Sequence, residues 1–411
     1  MSDDKQVAVQ VQRLALWAAL MQGLVGISWI AYVAYLPRLL EMVGISAQRA
    51  LWILLADQIL FVLFDWIAGS QADRIARVRG RVGKWLAVVA VLSALLLLLL
   101  PWAAATGSAL VFLTVSLLWT MSSSVMRAPV LGMLGRLGTP QAKSKVISYA
   151  LAGLGLAGAF APFLGGLFKE FSPYWPMAVT AVTMMIASAF AVWIEPRQLA
   201  VSAGDVKAER NATPSSHKWP LPLQPSRELV WIAGLMMVAG SGMQLLTGEI
   251  GGSTFKQMGA VPLMLWLPIF WASFFIAQPW CKRLIDRTHE RRASFIYPAM
   301  ALLVAALALL LGRYSGQLAV FALSQAIAGA AWGLMLASAL TYATQVAAPS
   351  NAGAASGIVF AMLATGNVFR LTLTAAGVDI MASLHWWPAL VWIVAAVMML
   401  VWTLVRRSAT P

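Results

Sequence analysis

Long apolar runs alternate with short polar segments along the whole chain, and the runs have the length of a membrane-spanning helix, about 20 residues. They fall at 14–36, 50–70, 85–104, 109–131, 146–168, 175–194, 229–248, 261–280, 294–312, 318–345, 353–378 and 386–405. Barrel strands would be about ten residues long with strict alternation. The stretch Leu92 to Leu100 does not alternate. The pattern therefore predicts an all-α membrane protein with twelve transmembrane helices.

The polar segments carry an uneven charge. On one side they hold Arg74, Arg77, Arg79, Arg81 and Lys84, then Arg136, Lys143 and Lys145, then Arg197, Lys207, Arg210 and Lys218. Lys282, Arg283, Arg287, Arg291, Arg292, Arg406 and Arg407 follow on the same side. The opposite segments hold only scattered charges such as Arg38, Arg49, Lys169, Lys256 and Arg313. Because Lys and Arg accumulate in cytoplasmic loops, both termini are expected in the cytoplasm, with the chain crossing the inner (cytoplasmic) membrane many times. One polar stretch is long: it runs through Ala212-Thr-Pro-Ser-Ser-His-Lys-Trp-Pro-Leu-Pro. It reads as a cytoplasmic linker over 195–227, joining six-helix bundles at 1–194 and 228–411.

Composition agrees with lipid as the main solvent. Of the 411 residues 61% are hydrophobic and 11% charged, whereas a soluble domain carries about 25% charged residues. Many of the 19 Trp lie near the ends of apolar runs, where interfacial aromatic belts form. The net charge of +14 sits in the short segments between runs. It thus reports topology and contact with anionic lipid rather than nucleic-acid binding. Met1 to Arg13 leads into an apolar run with no small-residue cleavage site, so no cleavable signal peptide is expected. A single cysteine, Cys281, excludes an intrachain disulfide. His217, His289 and His385 lie too far apart for metal-ligand spacing, and no metal or cofactor is expected.

The two halves repeat. After the second run comes Ala72-Asp-Arg-Ile-Ala-Arg-Val-Arg-Gly-Arg, and after the eighth Ile285-Asp-Arg-Thr-His-Glu-Arg-Arg, so Asp73-Arg74 and Asp286-Arg287 hold matching places. Thr139-Pro140 and Ala348-Pro349 match less specifically. Repeated halves around a midplane site are the design of alternating-access carriers. Over nearly its whole length the chain resembles the major facilitator superfamily. The residues that carry the resemblance are Gly69-Ser-Gln-Ala-Asp73-Arg74 and the basic residues after it. Asp65, in Phe64-Asp65-Trp-Ile-Ala-Gly69, is similar to the glycoside–pentoside–hexuronide:cation symporters and their sucrose-carrier relatives. Arg127-Ala-Pro129-Val-Leu leans the same way. The fifth run, Gly153-Leu-Gly155-Leu-Ala-Gly158-Ala-Phe-Ala-Pro162, resembles instead the Gly/Pro motif of proton-coupled drug antiporters, from which it departs at Ala161. The resemblance implies the major facilitator fold, a monomer, and a gate at the cytoplasmic mouth formed by Gly69, Asp73, Arg74, Asp286 and Arg287.

A charge in mid-bilayer costs roughly 2.5–3.5 kcal/mol on insertion scales, so it should face a cavity or a partner. Asp57, among Leu54, Leu55, Ile59, Leu60 and Phe61, is a candidate proton or cation acceptor; a structural pair with an arginine is the alternative. Asp65 follows eight residues later, about 80° further round the helix, and either joins a cation site or bonds a neighbouring helix end. Arg127 and Arg370 are the intramembrane cations. Arg370 either binds an anionic group on a solute or neutralises a carboxylate such as Asp57, and Asn367 shares its face. Glu249 reads as an exposed charge at a helix end. Gln22, Trp29, Tyr32, Gln244, Gln278, Gln325, Trp332 and Tyr342 are candidates to line a central cavity, with packing as the alternative for each aromatic. The amides Gln22 and Gln244 need partners in mid-bilayer. Gly153, Gly155, Gly158, Gly165 and Gly166 read as close-packing positions, and Pro162, Pro268 and Pro279 as kinks.

Neither a metalloprotease helix, a nucleophile elbow nor a phosphate loop occurs in a fitting context, so an enzyme is not expected. The reading is a secondary transporter for a small organic solute, coupled to a proton or monovalent cation. A proton-coupled drug or metabolite exporter is the close alternative. A metal or metallophore carrier, suggested by Met236, Met237 and Met243, is more remote, and a non-transporting receptor on the same fold is a third class.

Overall fold

In hydrocarbon no water satisfies a backbone N–H or C=O, so an apolar run must close its hydrogen bonds within itself as a helix. The computed structural model obeys this throughout: its described residues, 3–79, 82–124, 126–127, 133, 137, 139–194, 226–287 and 295–408, hold helices and no strand. The major helices are α1 (Asp3–Met42), α2 (Ala50–Arg79), α3 (Gly83–Ala105), α4 (Ala109–Ser124), α5 (Pro140–Glu170) and α6 (Tyr174–Ala189). They continue as α7 (Arg227–Leu245), α8 (Pro268–Arg287), α9 (Ile296–Tyr314), α10 (Leu318–Val346), α11 (Ala352–Ala375) and α12 (Trp387–Ser408). Eleven helices among the described residues are long and apolar enough to cross a membrane; α4, with 16 residues, is shorter. Most of the expected linker, together with Arg81, Pro129, Arg136, Arg291 and Arg292, lies outside the described residues.

Helix ends follow local chemistry. Thr139 caps α5 by accepting from Ala142 N, with Pro140 in the first turn, and Ser226 caps α7 by accepting from Leu229 N. Glycines at positive φ close the turns after α3 (Gly107, 71°) and α9 (Gly316, 65°), a conformation that costs other L-residues steric strain. Pro268 begins α8 and so does not kink it, because its missing N–H falls where no intrahelical bond is due.

The outer helices show which solvent each face meets. On α9, Met300, Val304, Leu307 and Leu311 form an exposed apolar stripe, and on α12 Val394, Val397, Val401 and Leu404 do so. Spacings of three and four place each set on one face, a surface suited to acyl chains. The opposite faces are buried. On α3 these are Leu86, Ala90, Ala94, Leu97 and Ala104. By contrast α10 is buried almost all round from Ala331 to Thr344, as a central helix must be.

Small residues set the closest crossings. A side chain at Gly153 would overlap the Ala19 carbonyl, which draws α1 onto α5. Gly69, Gly353 and Gly357 bring α2 against α11 in the same way, and Gly155 and Gly158 seat Phe274 and Trp271 of α8 on α5. These last two crossings join helices from before and after residues 195–225. Gly165 and Gly166, expected to be packing positions, face open space.

Candidate functional site

Where the two sets of helices meet, a cavity of about 250 Å³ opens between them. From the first set it is lined by Gln22, Ser28 and Trp29 of α1, Gln58 and Phe61 of α2, and Trp119 and Ser123 of α4. Arg127, just past α4, and Leu154 of α5 complete that side. From the second set come Met243 and Gln244 of α7, Trp271 of α8, Trp332 and Leu336 of α10, and Phe360, Leu363, Ala364 and Asn367 of α11. Indole rings, amides and hydroxyls thus alternate around one space, the mixed lining of small-molecule sites. On one wall Trp29 packs on Phe61 at 5.2 Å and stacks on Trp119 at 6.2 Å.

Three charged clusters surround this space. Asp65 is fully buried and lies 3.0 Å from Nη2 of Arg127, an ion-pair contact whose angles fall outside hydrogen-bond geometry. The Arg127 guanidinium sits 3.9 Å over the Phe61 ring, and Gln22 Nε2 donates to the Arg127 carbonyl at 3.2 Å. Asp57 has hydroxyl partners: Tyr32 donates to Oδ2 at 2.9 Å and Thr120 to Oδ1 at 2.8 Å, with Ser116 2.8 Å from the same Tyr32 oxygen. The third cluster joins Arg370 Nη1 to Glu249 at 3.0 Å and Arg370 Nε to Asn367 Oδ1 at 3.0 Å.

Two expectations are corrected here. The carboxylate beside Arg370 is Glu249, not Asp57, because Asp57 points to α1 and α4. Glu249 is accordingly no free helix-end charge. The chain passes through a π-helical turn, Leu246–Ile250, and this turn leads to the face where Glu249 meets α11. Gly248 makes room, since a Cβ there would stand 2.7 Å from Arg370 Cδ and Nε.

One end of the molecule is held by carboxylates on helix starts. Asp73 accepts from Gly353 N at 3.0 Å and Ala354 N at 2.8 Å, the first turn of α11. Asp286 accepts from Ser144 Oγ in the first turns of α5 and also pairs with Lys282. Lys143 donates to the Thr344 carbonyl at 3.3 Å, near the end of α10. Arg74 and Arg287 are exposed.

Of the expected cavity residues, Gln22, Trp29, Arg127, Gln244, Trp332 and Asn367 line the space. Tyr32 stands behind Trp29 on Asp57. Gln278 donates to the Phe274 carbonyl of its own helix and packs at Gly333. Gln325 lies by Gly251, and Tyr342 packs edge-on against Phe295. Gln278 and Tyr342 are packing residues because α8 and α10 turn those faces toward each other and toward α9, and Gln325 faces the segment that follows the π-helical turn. Sequence reasoning passed over Gln58, Ser123, Trp119 and Trp271. Gln58 carried a usable signal, an amide beside Asp57 in an apolar run; the two indoles carried none, since Trp recurs throughout this chain.

A sequence profile described as Major Facilitator Superfamily matches residues 18–369. A search of curated proteins finds no match. Solved structures of similar shape include the human organic anion transporter MFSD10 (TETRAN), with 15% identity and a TM-score of 0.67, covering 96% of this chain and 99% of that one. The proton:xylose symporter XylE gives 14% and 0.72, covering 98% and 96%. A bacterial homologue of the iron transporter ferroportin, in an outward-facing state, gives 13% and 0.72, covering 95% and 99%.

Proposed function

From the premise that this chain belongs to the Major Facilitator Superfamily, and so is a transporter and not an enzyme, we propose that it carries a small organic solute by alternating access, coupled to a proton or monovalent cation. The observation that carries this reading is the central cavity, lined from both sets of helices and flanked by buried carboxylates. In this reading the chain makes twelve spans, lies in the inner membrane, and has both termini in the cytoplasm. The sets 1–194 and 228–411 are repeats that rock about the cavity. Support for the repeat comes from Asp73 on α11 and Asp286 on α5, and from glycines at positive φ after α3 and α9.

Asp73 and Asp286 then form the cytoplasmic gate. Asp73 bonds the N–H groups at the start of α11, where the dipole favours a carboxylate, and Asp286 bonds the Ser144 hydroxyl near the start of α5. Such bonds break when the sets part, so they bias the equilibrium toward the state closed at this end. Asp57 and Asp65 are the coupling candidates. An ionised carboxylate buried away from water is costly unless it is paired, and Asp57 has hydroxyls rather than a cation beside it.

The similar structures are titled for an organic anion, for xylose with a proton, and for iron, so their cargoes do not choose among solutes. The Asp65 motif supports the symporter branch. Four indoles and Met243 in the lining favour the exporter reading, because they suit apolar compounds. No three His, Cys, Asp or Glu side chains converge among the described residues, and nothing in the cavity favours a metal cargo. Flux in proteoliposomes across sugars, carboxylates and cationic dyes, with and without an imposed proton or sodium gradient, tests the proposal. Gradient-dependent accumulation of one class is the expected result. A protein that inserts correctly yet moves nothing in the panel would point to the receptor class instead.

A further inference from the structure

The cavity shows an electrostatic asymmetry that bears on the substrate class. Among the described residues lining it, Arg127 is the one with a charge, and no carboxylate faces the space. Its counter-ion, Asp65, is fully buried behind it. Arg127 Nε and Nη2 are themselves buried and donate no hydrogen bond to any described residue, Nη2 lying 3.0 Å from Asp65 Oδ2, while the side chain as a whole stays 22% exposed. The guanidinium carbon sits over the Phe61 ring, 3.9 Å from its centre, so a solute meets the group beside that ring. A guanidinium edge matches a carboxylate, to which it donates two parallel bonds. Around it stand Trp29, Trp119, Trp271 and Trp332, whose flat apolar surfaces suit a planar body of modest size.

We propose that the cavity selects a small organic anion with a planar, apolar body, and that Arg127 binds its carboxylate while the indoles hold the rest. The proposal rests on the carrier reading above and narrows its solute. An aromatic box alone would equally suit a quaternary ammonium, but a resident guanidinium repels one. Asp65 and the solute carboxylate then compete for a single cation, so Asp65 sets how tightly the anion is held. Among the described residues no other ionisable side chain faces Asp65: α11 presents Gly353 and Gly357 to this stretch of α2, α4 presents Ser124, and Tyr32 of α1 is engaged with Asp57.

The test is equilibrium binding to the full-length protein in detergent or nanodiscs. The probes are benzoate, phenylacetate and indole-3-acetate, each paired with its neutral amide, together with benzyltrimethylammonium and glucose. At least one carboxylate should bind roughly 10- to 100-fold tighter than its amide, the range for a hydrogen bond to a charged group. Arg127→Gln should abolish that preference. Because this change leaves Asp65 buried without a cation, Arg127→Gln/Asp65→Asn serves as the second variant and should give the same loss. Asp65→Asn alone should tighten carboxylate binding several-fold by removing the competitor. No acid–amide preference in any pair, a preference that survives in both Arg127 variants, or tighter binding of the ammonium would overturn the assignment. The two readings fail separately. Gradient-driven flux of neutral solutes without an anion preference removes the anion site and keeps the carrier; an anion bound at Arg127 and never translocated removes the carrier and keeps the site.

Discussion

Three carboxylates lie near the cavity, and their different partners give them different roles. Asp57 accepts from two hydroxyls, Asp65 meets a guanidinium, and Glu249 meets another. Asp57→Asn keeps an acceptor for Tyr32 or Thr120, so the protein should fold. If Asp57 carries the coupling ion, gradient-driven accumulation falls to the level of equilibration while solute exchange across the membrane continues. Accumulation that persists in Asp57→Asn would remove it from the coupling scheme. Tyr32→Phe deletes one bond to the same carboxylate and should cost about 1 kcal/mol, read as a lower Tm in detergent. At the other pair, Glu249 is one-third exposed and Arg370 17% exposed. The cost of Glu249→Gln therefore falls between the ~1 kcal/mol of an exposed pair and the roughly 3–5 kcal/mol of breaking a buried one. The double variant Glu249→Gln/Arg370→Gln should melt higher than Glu249→Gln alone, because no unpaired guanidinium remains. A double variant that melts lower would mean that Arg370 holds the fold through packing instead. That Arg370 needs a partner was legible from its isolation between Ser356 and Thr374. The identity of that partner was not, because a π-turn has no signature in an apolar pattern and changes which residue faces α11.

The helices themselves were largely legible: eleven of the apolar runs correspond to helices long enough to cross a membrane, with ends shifted by caps and turns, and the fourth is helical over Ala109–Ser124 among the described residues. What the runs could not reveal was the difference between one glycine and the next. Gly153 and Gly165 lie in the same helix, α5, within one small-residue motif. A Cβ at Gly153 would collide with the α1 backbone, whereas one at Gly165 meets nothing within 4 Å. Gly153→Ala should thus force α1 and α5 apart and cost about 1–3 kcal/mol. Gly165→Ala should be neutral or slightly stabilising, as alanine loses less backbone freedom in a helix than glycine. Thermal melting of the two purified variants checks the pair, and equal Tm shifts would contradict the crossing geometry. The same reasoning explains why Gln278 and Gln325 were misread as cavity residues. An amide in an apolar run announces a need for a partner, but the partner can be a carbonyl of its own helix, as Phe274 is for Gln278.

The two sets of helices are tied by contacts that sequence separation hides. Asp73 and the α11 amides it caps are 280 and 281 residues apart. The repeat of Asp73-Arg74 as Asp286-Arg287 marked both acids, yet only the packed structure pairs each with a helix start. Hydrogen bonds to a charged group contribute roughly 1.5–3 kcal/mol each, so losing even one on opening shifts the balance between states about 10- to 100-fold. Asp73→Ala should therefore raise access to the cavity from the end that Asp73 closes. Cys281 is buried and is the only cysteine, so a Cys281→Ser background makes the measurement clean. In that background Ala364→Cys places one thiol in the cavity wall. A membrane-impermeant maleimide added to vesicles of known orientation should label it faster from the Asp73 side when Asp73→Ala is also present. It should label more slowly from the opposite side, because one equilibrium governs both openings. Labelling that rises from both sides would indicate a loosened fold rather than a released gate, and labelling that changes from neither would deny Asp73 any part in holding this end shut.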